Sequence, residues 1–381
     1  MREFAFPALA FPPEADRERL RARAFLEAER DAGRFVPHKC SWTTYDPAFS
    51  RRAAQQGFVA MTWPKEWGGH AHSPLVRFAV TEEMLAAGAP CGAHWIADRQ
   101  SGPLILRHGS DAARKAILPR IAAGECYFAI GMSEPDTGSD LAGVRTRATR
   151  REGGWAINGS KIWTTNGHLA HYMLTLVRTS GAPEDRQRGL SQFIVELKSP
   201  GITMRPILDM AGRHEFNQIF FDDVFVPDEM LVGREGEGWA MVTSELTLER
   251  SGPDRFLSDY RLLVEGISAI GPEPDRHQAV AIGRLVAHLL PLRRMSASIA
   301  AQLAGGTDPS QEAALVKEMG TNFEREVPEV LRTVLPLDTA TEGDACAESY
   351  ADVLLSAPSF TLRGGTREIM RGVIARGLGL R

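Results

Sequence analysis

Cysteine and lysine are scarce in this 381-residue chain: four Cys, and only six Lys among 44 basic residues. Cys40, Cys91, Cys126 and Cys346 stand far apart with no C-x-x-C pair. That spacing argues against a structural zinc site and against a disulfide-built secreted fold. No charge of one sign dominates, since 48 acidic side chains leave a formal net charge of −4. The balance gives no electrostatic reason to expect nucleic acid or an anionic membrane surface as partner. No apolar run approaches the length of a bilayer span. The N-terminal stretch MREFAFPALAFPPEADRERL meets proline and charge too early for a signal peptide. These absences together describe a soluble, cytoplasmic protein.

Several chemical motifs are missing as well. There is no Walker phosphate loop, no G-x-G-x-x-G in a strand–turn–helix setting and no G-x-S-x-G nucleophile elbow. Ten histidines occur without an H-x-x-x-H, and His70 with His72 reads as a solvated loop, so no metal is assigned. Common hydrolase and nucleotide-triphosphate chemistries lose their support.

What is present is ordinary globular composition, 43% hydrophobic and 24% charged, which excludes a disordered chain. The length suits two or three domains. From Ala15 to about Arg120, apolar residues recur three and four apart between Pro and Gly breakers, a helical pattern. After Gly124 the period changes. Trp155 and Ile157 alternate before Asn158-Gly159, a strong hairpin signal. KIWTTN, HYMLTLVRT, SQFIVEL and NQIFFDDVFVP then read as strands of a small β barrel or sandwich over about 125–235. Beyond Gly236 and Gly238, helical runs are expected around 238–266, 275–303 and 309–335, with a last one from Ser349 to the C-terminus.

Two segments carry chemistry. Ser133-Glu134-Pro135-Asp136-Thr137-Gly138-Ser139-Asp140 gathers hydroxyls, carboxylates and free backbone N–H groups in a turn that could hold a polar heterocycle or a pyrophosphate. Lys161-Ile162-Trp163-Thr164-Thr165-Asn166 offers an indole for stacking on a flat cofactor. Each alone is as well explained by a capped turn or a core tryptophan.

Taken in order, the motifs resemble the acyl-CoA dehydrogenase family. Tyr127 through Asp140 looks like its first signature, and Ile157 through Asn166 like its flavin-facing hairpin. Phe221 through Pro227 and Gly236-Glu-Gly-Trp239 resemble the exit from the β domain. Gly364-Gly365-Thr366-Arg367-Glu368 to Arg371, with Ile374-Ala-Arg376, resembles the C-terminal signature. The resemblance implies a mainly α fold with a central β domain: an N-terminal helical domain (1–124), a small β barrel (125–235) and a C-terminal four-helix bundle (236–381). It implies FAD as cofactor, an acyl-CoA oxidised to its trans-2-enoyl-CoA, and electron-transfer flavoprotein as acceptor. By the same resemblance Met132, Ser133, Trp163 and Thr165 would meet the flavin, and Thr366 and Glu368 the adenosine side of FAD. Gln278 would belong to the cofactor site, while Ser139 and Arg250 would touch CoA.

The chain departs from that pattern twice. The family's usual base is a Glu directly before Gly-Thr, where this sequence has Gly364. A minority of the family carries the base on the helix after Gly-x-Gly-Trp, immediately before an Arg. Glu249, before Arg250, matches that position and is the expected base, with the Gly364 N–H left to polarise the thioester carbonyl. Glu245, one turn earlier, is the fallback and reads as part of a solvated face. The second departure concerns an Arg-x-x-Phe-Gly motif that lends an Arg to the neighbouring subunit's FAD. Ile267, Ile270 and Gly271 occupy its positions, counted back from Gln278. The later Gln-x-x-Gly-Gly-x-Gly is also missing around Asp338. Two readings of partners stay open: a hetero-oligomer with a sister chain, or a homo-oligomer gripping FAD through Arg276, Arg284, Arg293 or Arg294. A half-site subunit, or a flavin oxidase or monooxygenase on the same fold, are the alternatives to dehydrogenation.

Overall fold

The computed structural model describes residues 3–337 and 343–380. The N-terminal third is helical: α1 (Pro13–Asp31), α2 (Pro47–Gln55), α3 (Pro74–Ala86), α4 (Gly92–Ile96), α5 (Gly102–His108) and α6 (Asp111–Ala122). A π-helical turn, Ala97–Ser101, joins α4 to α5. Local chemistry sets several starts. Pro13 opens α1 with Glu14 and Asp16 in its first turn, and the Ser110 hydroxyl caps α6 by accepting from Ala113 N at 3.0 Å.

Eight strands follow: β1 (Phe128–Gly131), β2 (Arg147–Arg151), β3 (Gly154–Lys161), β4 (Tyr172–Arg178), β5 (Leu190–Glu196), β6 (Ile202–Leu208), β7 (His214–Pro227) and β8 (Leu231–Val232). They form one sheet in the order β6-β7-β3-β2-β4-β5-β8, with β1 paired parallel to β4. Trp155, Ile157, Met173, Phe193, Ile219 and Val226 share one buried core. These residues come from strands on both flanks of that order, so the sheet curls over its own apolar face.

The helices then resume as α7 (Gly238–Ser251), α8 (Tyr260–Ile270), α9 (Arg276–Ala304), α10 (Ser310–Val334), α11 (Ala345–Phe360) and α12 (Arg367–Gly377). Two long runs expected from periodicity are each broken in two. Gly252-Pro253 ends α7 and starts a 3-10 turn, because proline gives no N–H to the helix ladder. The last run breaks between Thr361 and Thr366, where Gly364 and Gly365 both take positive φ.

The strand pattern needs two further corrections. Asn158-Gly159 is not a turn: β3 runs through it, and the pairing to β7 shifts register between Ile157 and Gly159, a β-bulge. Gly159 sits at φ +140° with Thr146 so close that any side chain would collide. The hairpin turn lies earlier, at Glu152-Gly153, where Arg151 pairs with Gly154. Only Lys161 of KIWTTN belongs to a strand; the rest forms an irregular loop with Trp163 and Asn166 at positive φ.

The chain divides into two compact units. The first holds residues up to Trp42, His72–Pro90 and everything from Thr247. Helix α10 is central to it, burying Gln311, Glu312, Lys317, Glu318, Thr321 and Glu324 beside its apolar face. The second, Thr43–Ala71 and Cys91–Leu246, packs α4–α6 and the sheet around Trp63, Ile105, Ile117, Phe128, Leu174 and Ile194. Among the described residues no helix is long and apolar enough to cross a membrane.

Candidate active site

In the second unit, β1 ends at Gly131, and Met132, Ser133 and Glu134 follow it directly. The Ser133 carbonyl accepts from Ile162 N at 2.9 Å. Lys161, fully buried, donates to Met132 O and to Glu134 Oε1, both at 2.9 Å. Glu134 also takes the backbone N–H groups of Arg145 (2.8 Å) and Thr146 (2.9 Å). Burial lowers the Lys161 ammonium to about 8 while Glu134 pulls it back up. Burial alone would raise Glu134, but the Lys161 charge and these hydrogen bonds hold its carboxyl below the usual range. Two segments that the sequence marked out separately are thus locked into one assembly.

The loop after Lys161 is pinned at several points. Thr164 and Asn217 exchange backbone hydrogen bonds at 3.1 Å, and Asn166 N donates to Glu215 O at 2.8 Å. Asn166 Nδ2 donates to Thr43 O at 2.8 Å. Trp163, held between these anchors at φ +61°, leaves 57% of its surface exposed, and its ring stands edge-to-face with that of Phe216, ring centres 5.9 Å apart. Met132, Ser133 and Thr165 are half-buried, and Ser139 is exposed next to the Asp140–Arg186 ion pair. A cleft of about 310 Å³ is lined by Glu134, Pro135, Asp136, Arg145, Thr146 and Phe220, and its lining does not include Met132, Ser133, Ser139, Trp163 or Thr165.

Glu245 does not lie on a solvated face. It is 1% exposed, and its carboxylate accepts from Gln100 Nε2 (3.3 Å) and Gln192 Nε2 (3.2 Å). Gln100 comes from the π-helical turn, and Gln192 from β5. A helix face is solvated or buried according to what packs on it, and periodicity along α7 alone does not reveal that partner.

In the first unit, Gly364 (φ +67°) and Gly365 (φ +97°) form a left-handed turn between α11 and α12. A Cβ built on Gly364 would lie 2.8 Å from Glu249 Oε1 and 3.3 Å from Arg255 Nη2. The Glu249 carboxylate therefore stands where a side chain at 364 would begin. Arg255, 1% exposed, holds Glu249 twice, through Nη2 to Oε1 (2.8 Å) and Nε to the backbone carbonyl (2.9 Å). Arg250 Nε donates to Gly364 O at 3.2 Å, and Lys317 Nζ donates to Gly365 O. Arg363 bonds Glu324 (2.8 Å) and Ser258 (2.7 Å), and its guanidinium lies 4.8 Å from the Trp42 ring centre. Glu249 and Arg250 belong to a motif in the sequence and Arg363 directly precedes Gly364, whereas Arg255 and Lys317 have no motif of their own.

Comparison with known proteins agrees with the order of helical and strand regions. Models of the acyl-CoA dehydrogenase N-terminal and middle domains match residues 13–125 and 129–224. The chain is 33% identical over 341 residues to the acyl-CoA dehydrogenase IpdE1 of Mycobacterium tuberculosis, covering 87% of each. The chain belongs to the acyl-CoA dehydrogenase family. It is 32% identical to the M. tuberculosis acyl-CoA dehydrogenase FadE34 but spans only 45% of that longer protein. The solved ChsE4-ChsE5 complex from M. tuberculosis superposes with TM-score 0.83 at 27% identity, over 98% of this chain and 100% of that one. A solved steroid acyl-CoA dehydrogenase, Tcur3481-Tcur3483, shares the fold with TM-score 0.86 at 24% identity.

As a member of an FAD-dependent family, the chain can be tested for fit to the flavin. An exposed indole on a pinned loop, with the half-buried hydroxyls of Ser133 and Thr165, suits a flat polar ring. Thr366 caps α12, accepting from Ile369 N at 3.4 Å, and Glu368 is exposed in the first turn. Gln278 is occupied by the fold: Oε1 accepts from Asp275 N (3.0 Å) and Nε2 donates to Val334 O (3.2 Å). Ile267 is 40% exposed on α8, with no cation to offer. Of the substitute arginines, Arg293 is bound to Glu82 (2.6 Å) and Arg284 lies 3.8 Å from Glu326, while Arg276 and Arg294 are exposed. Residues 338–342, at the missing Gln-x-x-Gly-Gly-x-Gly, lie outside the described residues.

Proposed function

We propose that this chain oxidises an acyl-CoA thioester to its trans-2-enoyl-CoA, with Glu249 as the base that removes the α proton. One observation carries the assignment: the Glu249 carboxylate fills the space vacated at Gly364. The usual base position and the alternative one thus converge on one place in the first unit. FAD, when bound, supplies the hydride acceptor.

The chain's own groups do the rest. Glu249 begins as a carboxylate steadied by Arg255 and ends protonated. The charge that develops on the thioester oxygen is met by the Gly364 N–H, a donor that needs no side chain. Met132, Ser133 and Thr165 would hold the flavin ring and Trp163 would cover one face; Thr366 and Glu368 would serve its adenosine side. Ser139 and Arg250 would contact CoA. Gln278 has a capping role instead of a cofactor role in this reading. We read the sequence domains as 1–124, 125–235 and 236–381, and the protein as cytoplasmic with electron-transfer flavoprotein as acceptor.

Ile267 favours a hetero-oligomer, in which a sister chain supplies the cation this chain lacks. Exposed Val280, Val286 and Leu290 give α9 an apolar face for such a partner. The solved ChsE4-ChsE5 complex is a hetero-assembly of the same fold.

The test is a positional swap. Glu249→Gly should abolish turnover, and adding Gly364→Glu should restore part of it, because the new carboxylate grows into the emptied space. Undiminished turnover in Glu249→Gly would remove Glu249 from the mechanism.

A further inference from the structure

The two carbonyls of the Gly364–Gly365 turn are each gripped by a cation from a different helix, Arg250 of α7 and Lys317 of α10. Lys317 is 0% exposed, and no other lysine lies in α10. The charged groups that act on it are Arg255, Arg363, Arg250 and Glu249, with Glu324 paired to Arg363 and Asp254 beside Arg255 behind them. An ammonium buried among guanidiniums destabilises a fold; an apolar side chain of similar length would serve packing better. What the ammonium adds is a charge-assisted bond to a turn whose left-handed backbone must stay in register with a carboxylate.

We propose that Lys317 is a positioning residue for the dehydrogenation, clamping the Gly365 carbonyl so that the Gly364 N–H keeps its place against Glu249. The inference rests on Glu249 being the base. Small displacements of a catalytic group carry large penalties in rate, so the clamp acts on turnover more than on substrate binding.

Burial first, then Arg255 and Arg363, lower Lys317 from 10.5 to about 7, with Glu249 opposing. The sign of the linkage follows. Below about pH 7 the ammonium is charged in both the folded and unfolded chain, and the fold bears its full desolvation. Between that point and the unfolded value the unfolded chain binds more protons, so wild-type stability rises with pH. A variant without the amine escapes that penalty, and its advantage is greatest on the acid side.

The experiment is Lys317→Met in the full chain with FAD bound. Turnover should fall about tenfold with KM within about threefold of wild type. The melting temperature should rise at about pH 6, by an increment that shrinks toward about pH 9. A merely structural lysine gives the opposite pair, lower stability and unchanged turnover, and either half of that pair overturns the inference. If Lys317→Met does not fold, the wild-type profile decides. A kcat that declines above about pH 7 supports the clamp, and one with no alkaline fall overturns it. Loss of turnover in Glu249→Gln with unchanged turnover in Lys317→Met sinks this inference alone. Undiminished turnover in Glu249→Gln sinks the reading beneath it.

Discussion

The two turns that carry the proposed chemistry are built by opposite means. In the second unit, the signature turn and the Trp163 loop are held by backbone hydrogen bonds and one buried ion pair, Lys161 with Glu134. The buried charges there balance, and the exposed Trp163 ring is apolar. In the first unit the Gly364–Gly365 turn is surrounded by Arg250, Arg255, Lys317 and Arg363, with Arg255 paired to Glu249 and Asp254 and Arg363 paired to Glu324. A balanced cradle suits a site that must present a fixed surface. A ring of arginines with one buried ammonium suits one where a proton leaves carbon and negative charge develops.

The strongest way to break this contrast is to unbalance the balanced half. Glu134→Ala leaves Lys161 buried without its carboxylate, and should cost about 3–5 kcal/mol in urea unfolding. FAD should be lost with it; full retention of both would show that the pair is not what locks the turn. Gly364→Ala comes next. A side chain at φ +67° costs roughly 1–2 kcal/mol, and its Cβ would press on the Glu249 carboxylate. Turnover should drop about a hundredfold, measured at saturating acyl-CoA, and an unchanged kcat would separate the turn from the base.

A finer test concerns Asp259, buried in the first unit. Burial, with Glu324 adding to it, raises its carboxyl well above the usual range, against the pull of Arg363. The fold therefore favours the protonated form of Asp259, and the stability that form contributes at low pH is lost as pH rises toward its folded value. Asp259→Asn should be more stable than wild type at about pH 8, with the gain vanishing near about pH 4. Melting curves across that range check it, and a pH-independent difference would contradict it. The smallest effect on stability is expected from Trp163→Leu. Stability should stay within about 0.5 kcal/mol, while FAD affinity weakens about tenfold, read by fluorescence titration.

The order of helices, strands and helices was legible because apolar spacing switches from helical to alternating near Gly124. The signature turn, the Trp163 loop and the Gly364 turn were each legible as motifs, and Glu249 was legible as a candidate because its match coincided with the glycine at 364. Other features depended on partners distant in the chain. Asn158-Gly159 carries turn chemistry, yet Thr146 and β7 make it a bulge. Glu245 sits on an amphipathic pattern, yet Gln100 and Gln192 bury it. Apart from the adjacent Arg363, the cations around Gly364 come from α7, the turn after it and α10, so no local window contains them.

The central claim is that Glu249 takes the α proton. Its most direct test is anaerobic mixing of Glu249→Gln, with FAD bound, against an acyl-CoA that bleaches the wild-type flavin. The account predicts that the variant keeps its flavin and binds the thioester but bleaches at least about a thousandfold more slowly. Bleaching at the wild-type rate would contradict it.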